Sequence, residues 1–205
     1  MKKFVFLVSI YLTLQYSIQH FVVSDDLIFD SLVNRLGYER AGDLLADGKD
    51  WRWISYALLP LIIVFKIFAV ATCLTTGSFF LRSDIAFARF LVPALDCEFL
   101  FLIPGLGKLL WFTFFSSTFS LEDLQYFSPL SIFSLFDPVE VEAWLVYPLQ
   151  VLNLFELAYL CALAWQLREV VGRDYLGSFA FVISTYGVGL LLWVVFVMFI
   201  TVTLS

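Results

Sequence analysis

The stretch ISYALLPLIIVFKIFAVATCLTTGSFFL, residues 54–81, is apolar for more than the length of a membrane crossing and carries a lysine, Lys66, at its middle. A helix needs about 20 apolar residues to cross about 30 Å of hydrocarbon, so this stretch reads as a transmembrane helix. Residues 4–23, 90–115, 144–167 and 178–204 meet the same test, which gives five spans. The first follows Lys2 and Lys3 and is read as a retained helix, because its apolar region is long and no small-residue cleavage site precedes Ser24.

Composition agrees with that class. In 205 residues, 61% are hydrophobic and 19% aromatic, more apolar material than one soluble core of this length buries; the mean hydropathy is +0.92. The expected fold is all-α: a polytopic membrane helix bundle, one domain over residues 1–205, with short interfacial helices in its outer connections. A net charge of −6, with twelve scattered basic residues, excludes a nucleic-acid partner, which requires clustered Lys and Arg. Cys73, Cys97 and Cys161 all fall in apolar segments without metal-ligand spacing, and His20 is the single histidine. No disulfide framework, metal site or cofactor is expected.

Charge asymmetry orients the spans. Lys2 and Lys3, the turn carrying Arg82 and Arg89, and the turn carrying Arg168 and Arg173 fall on one side, which the positive-inside rule makes cytoplasmic. The amino terminus is then inside and the carboxyl terminus outside. Residues 109–167 hold no Lys or Arg but do hold Glu122, Asp123, Asp137, Glu140 and Glu142, so the connection between the third and fourth spans is external. The 24–53 connection, with Arg35, Arg40, Lys49 and Arg52 among seven acids, is external by parity.

Both outer connections carry helix signals. Ser24, Asp25 and Asp26 cap a helix whose apolar Ile28, Phe29, Leu32, Val33 and Leu36 recur at helical spacing before Gly37 ends it. Ser120 with Asp123 forms a capping box, Ser128-Pro129 starts a turn, and Asp137-Pro138 with Glu140 leads into the fourth span.

Ionisable residues inside the spans are the best functional clue. Each costs roughly 2.5–3.5 kcal/mol at mid-bilayer, so they turn inward and pair, or line a path. Lys66, Ala69, Cys73 and Gly77 share one ridge of the second span, which points the lysine toward close helix contacts. Gln150, Asn153 and Glu156 follow at i+3 steps on the fourth, flanked by Tyr147 and Tyr159. Tyr11, Gln15 and Gln19 give the first span a polar face, and Ser184, Thr185, Tyr186, Gly187 and Gly189 give the fifth one. Lys66 lies thirteen residues beyond Trp53, and Glu156 twelve beyond Trp144. Equal depth makes an ion pair between them reasonable. Asp96 and Glu98 bring two more carboxyls, pointing about 160° apart on a regular helix, and Pro93 with Pro104-Gly105-Leu106-Gly107 is expected to interrupt the helix around them.

Enzyme signatures are absent: there is no GxSxG, HExxH or P-loop, and a single histidine leaves little scope for a catalytic pair. The polar centre of Lys66, Asp96, Glu98, Gln150, Asn153 and Glu156 has two readings. One is a paired network that locks helix register; the other is a proton or cation relay in a small transporter or channel component.

Three stretches, SLEDLQYFSPLS (120–131), YPLQVLNLFE (147–156) and STYGVGLLLWVVF (184–196), resemble bacterial members of the Ypt-interacting protein (YIP) family, as does the five-span pattern. That resemblance implies a non-enzymatic scaffold or subunit of a membrane assembly in the bacterial inner membrane. Its partners would be the bilayer and another membrane protein or a second copy of the chain. The link of eukaryotic relatives to Rab-type GTPases does not carry over, because their long cytosolic amino-terminal region has no counterpart before the first span.

The orientation is checked by a cysteine placed at Ser128 and a phosphatase fused after Ser205. The cysteine is expected to react with an impermeant thiol reagent in intact cells, and the fusion to be active; labelling only after lysis refutes this orientation.

Overall fold

The computed structural model describes residues 2–80, 85–116 and 119–204, without the side chains at 34, 35, 46, 49 and 50. Arg82, the expected end of the second span at 81, and the carboxyl-terminal Ser205 lie outside the described residues. The chain is all-α, with ten α-helices among the described residues: α1 (Lys2–Phe21), α2 (Asp25–Leu36), α3 (Tyr38–Phe80), α4 (Ala88–Glu98), α5 (Leu102–Leu110), α6 (Leu121–Tyr126), α7 (Ala143–Val151), α8 (Leu154–Val171), α9 (Tyr175–Val182) and α10 (Val188–Leu204). Four helical runs, Lys2–Phe21, Trp51–Phe80, Ala88–Phe115 and Tyr175–Leu204, are long and apolar enough to cross a membrane, which points to a membrane protein.

Local chemistry sets the helix ends. Ser24 accepts from the Leu27 amide and opens α2, and Gly37, at φ 84°, closes it while its amide bonds the Val33 carbonyl. A left-handed φ suits glycine because it has no Cβ. Helix α3 starts one residue later and continues through Pro60, so residues 38–53 are helical as well. The Ser120 box is present: its amide and hydroxyl both meet Asp123 Oδ2, at 2.8 and 2.9 Å, and the Asp123 amide returns a bond to Ser120 Oγ.

The expected interruption is present as a tightening: the α-helix ends at Glu98 and passes into a 3-10 turn between the two prolines. Residues 88–115 stay helical past both prolines, through a 3-10 turn at Phe99–Phe101 and a π turn at Trp111–Phe115. Pro104 is the third residue of α5. A missing amide costs little at a helix start, where the first amides have no intrahelical acceptor. A second, open break that the sequence did not announce lies in residues 144–167. Helix α7 ends at Val151, Asn153 is extended at φ −132° and ψ 163°, and α8 begins after it. Nine residues of α7 rise roughly 13 Å, short of a crossing, and α8 carries Glu156, Arg168 and Glu169.

The described residues pack as two compact units. The first holds residues up to Val64 and Leu102–Phe127. In it α1 lies on α5 and α2 on α6. Val22, Phe112 and Leu124 form its buried core, with Ile18, Leu27 and Phe119 around them. Gly105 lets α5 approach Leu14 of α1, whose Cδ2 occupies the space a Cβ would need. Lys108 donates to the Leu124 carbonyl at 2.6 Å, near the carboxyl-terminal end of α6, where a cation is favoured. Tyr56 donates to Gln19, and Arg52 pairs with Asp25.

The second unit holds Phe65–Phe101 and the chain from Ser128 onward. Helix α8 packs on α4 and α9, and α7 packs on α10. The end of α3 meets the α9–α10 run through small residues: Gly77 faces Thr185, and Gly189 faces Cys73. Close approach of this kind replaces the hydrophobic driving force that is missing between helices in lipid.

Gly77→Ala is expected to destabilise the protein by about 1–3 kcal/mol, because the new methyl overlaps the stiff β-branched Thr185 side chain. Thermal unfolding in mild detergent reads this, and adding Thr185→Ser should recover part of the loss by removing the Cγ2 methyl.

Candidate functional site

Glu98 ends α4, where it is 3% exposed, and the 3-10 turn that comes next carries Phe101. Lys66 reaches this corner from α3. Its Nζ lies 3.1 Å from Glu98 Oε1 and 3.3 Å from the centroid of the Phe101 ring, with the Tyr159 ring 5.6 Å away. The ammonium is thus held by a carboxylate on one side and aromatic faces on the other. With the Lys66 side chain a third exposed, such a cation–π contact is worth about 1 kcal/mol.

The ion pair therefore joins Lys66 to Glu98, where equal depth had favoured Glu156. That depth comparison treated the fourth stretch as one regular helix, and the break at Leu152 and Asn153 changes both the rise and the direction of the chain beyond it. Glu156 instead accepts a 2.7 Å hydrogen bond from the Tyr186 hydroxyl of the π turn at Ile183–Gly187. It remains within electrostatic reach of Lys66 and Glu98. Tyr159 is fully buried between the two acids' partners, its ring 5.1 Å from Phe101 and 5.4 Å from Tyr186. Its hydroxyl has no hydrogen-bond partner among the described residues.

The other residues of the expected centre divide. Asp96 is half-buried and stands two positions before Glu98 on α4, about 160° round a regular helix from it. Gln150 and Asn153 do not line a helix face with Glu156. Asn153 is the N-cap of α8: its Oδ1 accepts from the Glu156 amide at 2.7 Å, and its Nδ2 donates to the Gln150 carbonyl at 2.8 Å. The backbone opened by the break is satisfied from outside the helix. The Ile132 amide donates to the Leu152 carbonyl at 2.9 Å and the Leu154 amide to the Leu130 carbonyl at 3.0 Å, forming an antiparallel bridge between Ser131 and Asn153.

This clamp was not visible in the sequence, although its pieces were. Ser128-Pro129 marks a turn, and Ser131 caps the 3-10 helix Ile132–Leu135 by accepting from the Ser134 amide. Leu130 holds φ 58°, an uncommon value for a residue with a side chain, so the turn presents both its carbonyl and the Ile132 amide to the break. Phe101 was also missed; lying three residues after Glu98, it shares that side of the chain.

Among the described residues no group of three or more His, Cys, Asp or Glu is placed to hold a metal ion. Chemically, the corner provides a half-buried ammonium on a buried carboxylate, a phenol–carboxylate pair and a phenol between them. No family model, curated protein or solved structure matches the chain.

Removing one partner strands the other charge, while removing both leaves a neutral pair. Lys66→Met alone is expected to cost about 3 kcal/mol, and Lys66→Met with Glu98→Gln much less. The same cycle with Glu156→Gln should be closer to additive. Denaturation of the detergent-solubilised variants measures both couplings.

Proposed function

We propose that the chain is a five-span integral membrane protein of the bacterial inner membrane that acts without catalysis, as a scaffold or subunit of a membrane assembly. Its amino terminus is cytoplasmic and its carboxyl terminus external. In this reading α7 and α8 together make the remaining crossing, as a broken helix. A break inside a bilayer needs every freed backbone group satisfied by protein, and the bridge from Leu130 and Ile132 supplies that. Helix α6 and the 3-10 helix Ile132–Leu135 then sit at the outer interface, where exposed Leu135 and Val139 reach headgroup level.

The observation that carries the architectural reading is the pairing of the inward charges: Lys66 with Glu98, and Glu156 with Tyr186. A network of that kind fixes helix register. The resemblance to the YIP family belongs to the same proposal, and its three stretches coincide with α6 and the clamp, with the α7–α8 break, and with the π turn carrying Tyr186. The partners it implies are the bilayer and a membrane protein or second copy of the chain.

A second reading is favoured by Tyr159, whose buried hydroxyl lies within electrostatic reach of Glu98 and Glu156. A proton or cation relay would use Lys66, Asp96, Glu98 and Glu156, with the two phenols between the acids.

Reconstitution decides between the two. Liposomes containing the protein are expected to pass protons and monovalent cations no faster than protein-free liposomes. Flux that Glu156→Gln or Tyr186→Phe abolishes, with the melting temperature unchanged, would replace the scaffold by the relay.

A further inference from the structure

The seam between α3 and the α9–α10 run leaves a valley of about 630 Å³, within the roughly 300–1,000 Å³ of small-molecule sites. It exists because the helices touch through small residues. Gly77 and Gly189 let the backbones approach but add no side chain to fill the space above the seam. Along α9 and α10 it extends from Ala180 to Leu192, a rise of about 18 Å.

The lining is more apolar than its residue types suggest. The hydroxyls of Thr72, Ser184 and Thr185 all turn back to carbonyls of their own helices, at 2.8, 3.0 and 2.7 Å. Apart from the Thr76 hydroxyl and the Cys73 thiol, the surface toward the valley is mostly apolar, with Phe181, Val188 and Leu192 contributing to it. Among the described residues one charged side chain lines it, Arg173, just before α9. The Arg173 stem lies across Gly177, with Cβ and Cδ 3.3 and 3.4 Å from where a Cβ would stand there. The neighbouring carboxylate is engaged elsewhere, since Asp174 Oδ1 caps α9 by accepting from the Gly177 amide. Among the described residues no carboxylate forms an ion pair with Arg173.

A long, narrow, apolar valley with one guanidinium beside it has the chemistry of a chain that is hydrocarbon for most of its length and anionic at one end. We propose that it binds one acidic phospholipid, with an acyl chain along the seam and the headgroup phosphate on Arg173. The guanidinium fork matches phosphate oxygens, and apolar burial holds the tail. The proposal rests on the membrane reading above and adds a ligand class to it. An acidic lipid seated across α3, α9 and α10 would tie together helices that meet at Gly77 and Gly189 through small residues.

The test uses the full chain purified in mild detergent, with native mass spectrometry after addition of phosphatidylglycerol or phosphatidylcholine bearing the same acyl chains. Phosphatidylglycerol is expected to be retained about fivefold more strongly, the contribution of one basic side chain to acidic-lipid attraction. Arg173→Gln should bring the two lipids to parity and Arg173→Lys should keep most of the preference. Val188→Trp, which fills the valley from its exposed rim, should weaken both lipids while melting temperature holds. The idea is overturned if Arg173→Gln retains the preference, if inorganic phosphate displaces the lipid at equal concentration, or if the valley seals a dimer that Val188→Trp dissociates. Failure of the membrane reading looks different: the chain would leave the membrane fraction whatever stands at 173.

Discussion

An ammonium group stays among apolar helices only where a carboxylate meets it, and the second unit is built around that constraint. Lys66 comes from the middle of a long apolar run, and Glu98 from the end of α4, where the helix tightens into a 3-10 turn. The tightening brings Phe101 under the ammonium, so the charge is covered as well as paired. Tyr159 of α8 then packs against Phe101, and Tyr186 packs against Tyr159. Helix α4, the 3-10 turn, α8 and the π turn are thereby set in place relative to one paired charge. Such pairs contribute less to stability than their contact distance implies, because desolvation offsets much of the attraction. Their larger effect is on register: another rotation of α3 would leave Glu98 buried without its cation.

The broken helix depends on a different constraint. Extended backbone at Leu152 and Asn153 exposes amides and carbonyls that a continuous helix would pair internally, and each is costly in an apolar setting. Asn153 satisfies part of the demand through its own side chain, and the Leu130–Ser131 turn satisfies the rest. The positive φ of Leu130 is the local strain this arrangement carries. The result places Glu156 in the first turn of α8, where a carboxylate is favoured by the helix dipole, and aims it at Tyr186.

Small residues serve both units in a third way. Gly105 admits Leu14 in one, and Gly77 and Gly189 admit Thr185 and Cys73 in the other. Contacts of this kind hold helices together by close packing, and they leave valleys where larger side chains would have filled the seam. The Arg173 valley is therefore a by-product of how α3 meets α9 and α10, and it requires no residue selected for binding apart from the arginine itself.

Hydrophobic length and capping chemistry were legible because they are local. The runs 2–21, 51–80, 88–115 and 175–204, the Ser24 and Ser120 caps and the stop at Gly37 each arise from residues within a few positions of one another. The ridge that turned Lys66 inward was readable for the same reason, since helical spacing alone places it with Cys73 and Gly77. Which carboxylate met the lysine was not. Depth on paper favoured Glu156, and the pairing with Glu98 goes with a helix break closed by a turn about twenty residues upstream, which supplies the missing hydrogen bonds. The prolines at 93 and 104 flagged the tightened turn at Phe99–Phe101 that lies between them; Pro93 sits inside α4, and Pro104 in the first turn of α5, where a lost amide costs little. The sequence by itself determined that the chain is helical, apolar and threaded by a few ionisable groups that must be paired. Only the tertiary structure decided the pairs, because pairing across helices depends on backbone conformation at residues that touch neither charge.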